Sequence, residues 1–131
     1  MYEFHGWIRL AESTSEVDEG LLKIKCEKLE KILSLLEWSS GKAELLLLNG
    51  NYTVVLNAIP NRRRGEARDL ENLLKIIAQE FKGAYGVVYE YDEQTEVAYG
   101  HGVFSVNVIK RGGCQLLLDP FLSPVVPIAE D

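Results

Sequence analysis

The stretch Glu44-Leu-Leu-Leu-Leu-Asn-Gly-Asn-Tyr-Thr-Val-Val-Leu-Asn-Ala-Ile59 decides the fold. Its centre, Asn49-Gly50, is a dipeptide favoured by the type I′ turns that join antiparallel strands, because both turn residues need positive φ. The flanking runs 44–48 and 52–59 have the apolar and β-branched composition of strands. The stretch therefore predicts a β-hairpin. The run of leucines at 45–48 predicts that the first strand is central and covered on both faces, or nearly so.

A further strand is predicted ahead of this hairpin, at residues 2–10. Apolar and polar residues alternate there with period 2, which is the pattern of a strand with one buried face. The buried side holds Phe4, Gly6, Ile8 and Leu10, and the more polar side holds Glu3, His5, Trp7 and Arg9. The polar side is either covered by a helix or left partly exposed.

Two amphipathic helices are predicted, one on each side of the hairpin in sequence. The first starts at the capping-box pair Ser13 and Glu16, with Ser15 and Asp18 as an alternative register, and runs to about Trp38, where Ser39-Ser-Gly41 interrupts it. Its apolar stripe recurs in steps of four and three residues. The second helix is predicted at residues 66–81 and ends at Gly83.

The second half of the chain predicts three more strands, at residues 85–91, 102–110 and 114–118. Turns are expected at 92–96 and at Gly112-Gly113. The element order β-α-β-β-α-β-β-β has short connections, so we expect an α+β fold in one domain, 1–131, with two helices packed on a mainly antiparallel sheet. Residues 119–131 hold three of the four prolines and predict an extended, proline-rich C-terminal strap.

Charge is distributed unevenly along the chain. The net charge is −6, and residues 83–131 hold seven acids against only Lys110 and Arg111. An acidic surface disfavours direct binding to nucleic acid and to anionic membranes, and it steers a basic protein partner. The N-terminus has no signal-peptide pattern, and no run approaches the roughly 20 apolar residues of a membrane span, so we expect a cytoplasmic protein.

No reaction centre is recognisable in the sequence. The two cysteines, Cys26 and Cys114, lack the spacing of zinc ligands, and His5 suits a hydrogen-bonded structural role. A pair formed by Cys114 and His101 would lack a third group to orient the histidine. We therefore predict a protein that is not an enzyme, with no catalytic residues, no cofactor and no metal.

Tyrosines among acids indicate a protein-binding surface, because aromatic side chains anchor interfaces and charges steer the encounter. A buried tyrosine face would explain Tyr85 and Tyr89 equally well. The predicted binding residues are Tyr91, Asp92, Glu93, Glu96 and Tyr99, together with the acidic tip of the strap, Glu130 and Asp131. The second-choice interface is the basic loop Arg62, Arg63 and Arg64.

Both ends of the chain carry blocks that are specific in combination. The opening Tyr2-Glu-Phe-His-Gly-Trp7 with Glu12-Ser13, and the closing Asp119-Pro-Phe-Leu-Ser-Pro124 through Glu130-Asp131, resemble the immunity protein 7 family of bacterial polymorphic toxin and contact-dependent inhibition systems. Between them, Asn49-Gly-Asn-Tyr52, Asn61-Arg-Arg63 and Ala84-Tyr-Gly86 fall in the expected order. Arg62 and Arg63 depart from the Asn-His-Arg run of relatives, which implies a different cognate toxin if that loop recognises it.

The resemblance implies an antidote that binds the C-terminal domain of a toxin in the cytoplasm of the producing cell. Toxin partners of such families are commonly nucleases, which present cationic groups to a phosphate backbone and so suit an acidic inhibitor. Two other readings stay open: a protein-interaction domain unrelated to toxins, and a small-ligand-binding α+β domain. A homodimer of the free protein, formed through an exposed edge strand, also stays open.

Overall fold

The computed structural model describes residues 1–12, 19–60, 63, 65–97 and 100–122, with segments 94–97 and 100–102 described by their backbone alone. Within these residues the elements are β1 (Tyr2–Arg9), α1 (Glu19–Ser34), β2 (Gly41–Leu48), β3 (Asn51–Ala58), α2 (Gly65–Glu80), β4 (Tyr85–Val97), β5 (Gly100–Lys110) and β6 (Gly113–Leu118).

The six strands form one open sheet in the order β2-β3-β1-β4-β5-β6. Every neighbouring pair is antiparallel, so the predicted α+β class is confirmed. The central strand is β1, because β3 and β4 pair with its two edges. Strand β6 forms one edge, and all of its residues are exposed. The homodimer through an edge strand is not tested by this arrangement and stays a prediction.

Strand β2 lies at the other edge of the sheet, so the prediction of a central strand covered on both faces is wrong. Leu47 and Leu48 are 61% and 51% exposed. The hairpin brings β3, not β2, against β1, and this leaves one edge of β2 without a described neighbour. Only the side of β2 that carries Ala43 and Leu45 packs against the core.

Both helices contribute to a core on one face of the sheet. In β1 the buried side chains are Tyr2, Phe4 and Ile8, which is the face that the alternation predicts. The cross-strand partners of these residues, such as Val54 opposite Ile8, share the same face. The helical residues of this core are Cys26, Leu29, Leu33, Ala67, Leu70, Leu73, Leu74 and Ile77.

Two tight turns close hairpins at the same end of the sheet. Asn49 and Gly50 have φ values of 49° and 79°, the pair of positive values that a type I′ turn needs. Arg111 and Gly112 repeat this geometry, with φ values of 50° and 77°. The second turn therefore lies one residue earlier than the predicted Gly112-Gly113.

Element ends differ from the predictions in two places. The described part of α1 ends at Ser34, four residues before Trp38. The indole of Trp38 instead donates from Nε1 to Asp69 Oδ2 on α2 (2.8 Å) and packs edge-on against Phe4, with ring centroids 5.3 Å apart. The predicted start of α1, at Ser13 and Glu16, lies outside the described residues. The predicted turn at 92–96 is wrong, because β4 continues to Val97 with a register irregularity between Asp92 and Glu96.

The first residues of the predicted strap form a turn and are not extended. Asp119 is buried, and its Oδ2 accepts a hydrogen bond from the backbone N–H of Leu122 at 2.7 Å. Phe121 is 85% exposed, so it does not pack on the body of the domain. Residues 123–131 lie outside the described residues, and the remainder of the strap stays a prediction.

Candidate functional site

The face of the sheet opposite the helices is the candidate binding surface. Neither described helix packs on it, and we call it the open face. The alternation of β1 and the strand registers place on it Trp7 and Arg9 of β1, Tyr85, Tyr89 and Tyr91 of β4, and Phe104 and Val106 of β5. Its aromatic side chains are half-buried or exposed. An aromatic surface of this kind is typical of protein-binding sites.

Three of the predicted binding residues lie together where β4 passes the start of β1. Tyr91 is half-buried on the open face, and its ring packs against Phe104 with centroids 4.8 Å apart. Asp92 is half-buried and lies opposite Tyr2, so it occupies the helix-covered side. Glu93 is exposed and forms an ion pair with the terminal ammonium of Met1.

The other predicted binding residues are described only in part or not at all. The backbone of Glu96 pairs with that of His101, beyond the irregularity in β4. Tyr99, Glu130 and Asp131 lie outside the described residues. The structure therefore brings Tyr91, Asp92 and Glu93 to one end of the sheet and does not test whether the remaining members join them.

The second-choice loop is represented by Arg63. Its guanidinium donates from Nη2 to Glu71 Oε1 on α2 at 2.8 Å, and both side chains are about half exposed. Arg63 therefore forms an ion pair within the chain, a role for which the planar guanidinium is well matched to a carboxylate. Arg62 and Arg64 lie outside the described residues.

Glu90 belongs to an internal network, so its charge does not extend the acidic surface. The Tyr2 hydroxyl donates to Glu90 Oε1 at 2.6 Å, and Asn107 Nδ2 donates to Glu90 Oε2 at 2.7 Å. The same amide also contacts the carbonyl oxygen of Val88 at 3.1 Å. Burial, followed by the hydrogen bond to Glu90, raises the pKa of Tyr2 well above its ordinary value.

The described histidine and cysteines have structural surroundings. His5 lies between Asn57 Oδ1, 3.0 Å from its Nδ1, and Glu3 Oε1, 3.3 Å from its Nε2. Burial raises the pKa of the Cys26 thiol to about 11, with a smaller effect from Glu30. Cys114 lies on the exposed strand β6, and the pKa of its thiol is also raised, first by partial desolvation and then by the charge of Glu90. A raised pKa lowers the thiolate fraction that a nucleophile requires.

The described residues show neither a metal site nor a membrane-spanning helix. They contain no group of three or more His, Cys, Asp or Glu side chains that could hold a metal ion. Within them, no helix combines the length and the apolar character needed to cross a membrane.

The cluster that Trp7, Arg9 and Tyr85 form on the open face was not predicted from the sequence. Trp7 and Tyr85 meet edge to face, with ring centroids 6.0 Å apart. Arg9 lies over the Tyr85 ring at 5.8 Å and donates to the Tyr85 hydroxyl at 3.0 Å. The alternation of β1 placed Trp7 and Arg9 on one side of the strand, but only the pairing of β1 with β4 adds Tyr85. The suggested buried face for Tyr85 is wrong, because this side chain is 45% exposed.

A cavity of about 890 Å³ opens beside this cluster, at the end of the sheet where both tight turns lie. Its walls come from α1, from the ends of β1 and β5, and from the segments 50–52 and 83–85. Among the described residues, the charged members of the lining are Arg9, Glu19, Lys23, Lys110 and Arg111. Four cations against one carboxylate in this described lining attract anionic groups.

Comparison with known proteins gives one match. Neither a curated protein nor a solved structure was similar enough to the chain to count as a match. A family model described as Immunity protein 7 matches residues 1–131, the whole of the sequence. That coverage agrees with the motif blocks at both ends, and on this ground the chain belongs to the immunity protein 7 family.

Proposed function

We propose that this chain is the antidote to a nuclease toxin, and that it binds the toxin's C-terminal domain in the cytoplasm of the producing cell. Membership of an immunity protein family supports a non-catalytic inhibitor whose partner is a toxin. The nuclease assignment is supported by the one-sided charge of the chain. Between Gly83 and Ile109 there is no lysine or arginine, and a nuclease needs cationic groups around its phosphate-binding cleft.

The proposed mechanism is occlusion of that cleft. Asp92 and Glu93 lie on β4 at the end of the sheet where β1 begins with Tyr2. Glu96 lies further along β4. Negative charge at this end steers a cationic cleft toward it. Tyr91, held against Phe104, supplies an aromatic contact that slows dissociation.

The full proposed set also includes Tyr99, Glu130 and Asp131. The loop of Arg62, Arg63 and Arg64 is the alternative contact if this set is wrong. An interface that neutralises a toxin is expected to bury on the order of 1,200–2,000 Å² in total.

The first test is co-expression with the C-terminal toxin domain encoded immediately upstream. We expect growth rescue, a stable complex, and loss of nucleic-acid cleavage by the toxin when the purified proteins are mixed. A toxin that does not cleave nucleic acid would refute the nuclease assignment while leaving the immunity role intact. A toxin that stays lethal and forms no complex would refute the pairing itself.

A second test measures association of the variant Asp92→Asn, Glu93→Gln, Glu96→Gln. Loss of three negative charges should lower the association rate at low salt by about tenfold and reduce its salt dependence, because steering acts on the encounter. The matched control is Glu27→Gln, Glu30→Gln, Glu37→Gln, which makes the same change in net charge at exposed positions on and after α1. Equal association rates for the two variants would place the steering charge elsewhere.

A further inference from the structure

We propose that Trp7, Arg9 and Tyr85 form the anchoring cluster of the toxin interface, and that a carboxylate-bearing segment of the toxin enters the basic cavity beside Arg9. This inference rests on the proposed function, because the partner is the same toxin domain. It adds a second contact region, at the opposite end of the sheet from Asp92 and Glu93.

The cluster consists of the residue types that dominate binding energy in protein interfaces, namely Trp, Tyr and Arg. Trp7 is 44% exposed and Tyr85 is 45% exposed, although both are large aromatic side chains in a sheet. Mutual contacts hold them in place: the edge-to-face ring pair, and the Arg9 guanidinium over the Tyr85 ring. Side chains that are already ordered lose little entropy when a partner docks on them.

The open face has the size that a specific complex requires. Six strands about 4.8 Å apart and eight residues of about 3.3 Å each give a surface of roughly 750 Å². A standard interface buries about 800 Å² on each partner. A toxin domain that covers this face therefore contacts both the anchoring cluster and Tyr91.

Charge identifies the part of the toxin that faces the cavity. Arg9 donates from Nη2 to Asn51 Oδ1 at 2.6 Å and from Nη1 to the Tyr85 hydroxyl, and both of these partners are neutral. These contacts orient the guanidinium, and none of the ion pairs between described residues involves Arg9, so its positive charge is available to a partner. Lys110 and Arg111 border the same cavity, so a carboxylate is the complementary group.

The two ends of the sheet then carry opposite charges. Tyr85 and Asp92 are seven residues apart on β4, which is about 23 Å along a strand. A partner with its basic cleft at the acidic end that carries Glu93, and its acidic segment at Arg9, fits in one orientation, because the reversed orientation opposes like charges at both ends.

The test of the cluster measures dissociation of the toxin complex for Trp7→Ala, Arg9→Ala and Tyr85→Ala. We expect each substitution to increase the off-rate by at least tenfold, and Trp7→Ala to change the on-rate little. Arg9→Lys should recover only part of the affinity that Arg9→Ala loses, because lysine lacks the planar guanidinium. The matched controls are Ile24→Ala and Arg68→Ala, at exposed positions of α1 and α2, and their off-rates should equal that of wild type. Urea unfolding of each variant confirms that it folds.

A measurement on the wild-type chain does not depend on how variants fold. The chain has two tryptophans, so labelling with 5-fluorotryptophan gives two ¹⁹F resonances, which Trp7→Phe assigns. Binding of unlabelled toxin domain should shift the Trp7 resonance and leave that of Trp38 in place. If the complex forms but Trp7 does not shift and the three off-rates equal wild type, the cluster inference is refuted and the proposed function stands. If the wild-type chain forms no complex, it is the proposed function that fails.

The charge of the cavity partner is tested by Lys110→Gln, Arg111→Gln. Removing two cations should weaken binding by about tenfold at low salt if the toxin places a carboxylate there. Tighter binding by this variant would show that the toxin presents cations to this end as well, and would overturn the acidic-segment assignment.

Discussion

Replacing Tyr2 by phenylalanine removes one hydroxyl from the buried network beneath the helices. Tyr2 is 1% exposed, and its hydroxyl donates to Glu90 Oε1 at 2.6 Å. A hydrogen bond to a charged group contributes about 1.5–3 kcal/mol to stability. The aromatic ring, which packs against Phe4 with centroids 5.9 Å apart, is retained. We therefore expect Tyr2→Phe to lower the free energy of unfolding by about 1.5–3 kcal/mol near pH 8.

The difference between wild type and Tyr2→Phe should shrink at alkaline pH. Burial and the bond to Glu90 raise the pKa of Tyr2 in the folded state above its ordinary value of 10.0. Because the folded pKa is the higher one, the stabilisation is fully present below pH 10 and is lost as the pH rises above it. For one proton this loss amounts to about 1.4 kcal/mol between pH 8 and pH 11.

Urea unfolding of both proteins at pH 8 and pH 11, followed by far-UV circular dichroism, measures the two effects. The control is Tyr89→Phe, which removes a hydroxyl from the open face, where water replaces any lost partner, and should change stability by less than about 0.5 kcal/mol. A Tyr2→Phe protein as stable as wild type at pH 8 would refute the reasoning. So would a stability difference that stays constant up to pH 11.

Two further predictions concern glycine positions and thiol reactivity. Gly50→Ala should destabilise the fold by about 1–2 kcal/mol, because φ is +79° there. Gly65→Ala should stabilise it by up to about 1 kcal/mol, because an added Cβ meets nothing within 4 Å and alanine is the better helix former. Urea unfolding measures the change for each variant, and equal changes in the free energy of unfolding for Gly50→Ala and Gly65→Ala would contradict the argument. Ellman's reagent at pH 8 should modify Cys114 in the native protein but Cys26 only after unfolding, since Cys26 is buried and its pKa is raised to about 11. Modification of Cys26 at the same rate as Cys114 would show that its site opens readily.

The sequence by itself determined those elements whose signals are local. Asn49-Gly50 specifies its turn because only residues that tolerate positive φ close a two-residue hairpin, and the structure confirms both φ values. The helical period predicted α2 at 66–81, and the helix spans Gly65–Glu80. The alternation in β1 identified the buried face correctly, because side chains in a strand change sides at every residue.

Only the tertiary structure decided how these elements are placed beside one another. Four leucines in succession predicted a central strand, but a strand's position depends on which neighbours pair with it, and β2 lies at the edge. The acids at 90–96 are close together in the sequence and suggest a single surface. In the structure Glu90 instead accepts an internal hydrogen bond from Tyr2, which is 88 residues away in the chain.

The candidate site shows the same division. Arg9 meets Tyr85 across 76 residues of sequence, through the pairing of β1 with β4. Turn chemistry and periodicity act between residues a few positions apart, so they leave a clear pattern in the sequence. Strand order and the contacts across it follow from the free energy of the whole packed sheet, which no short pattern of residues encodes.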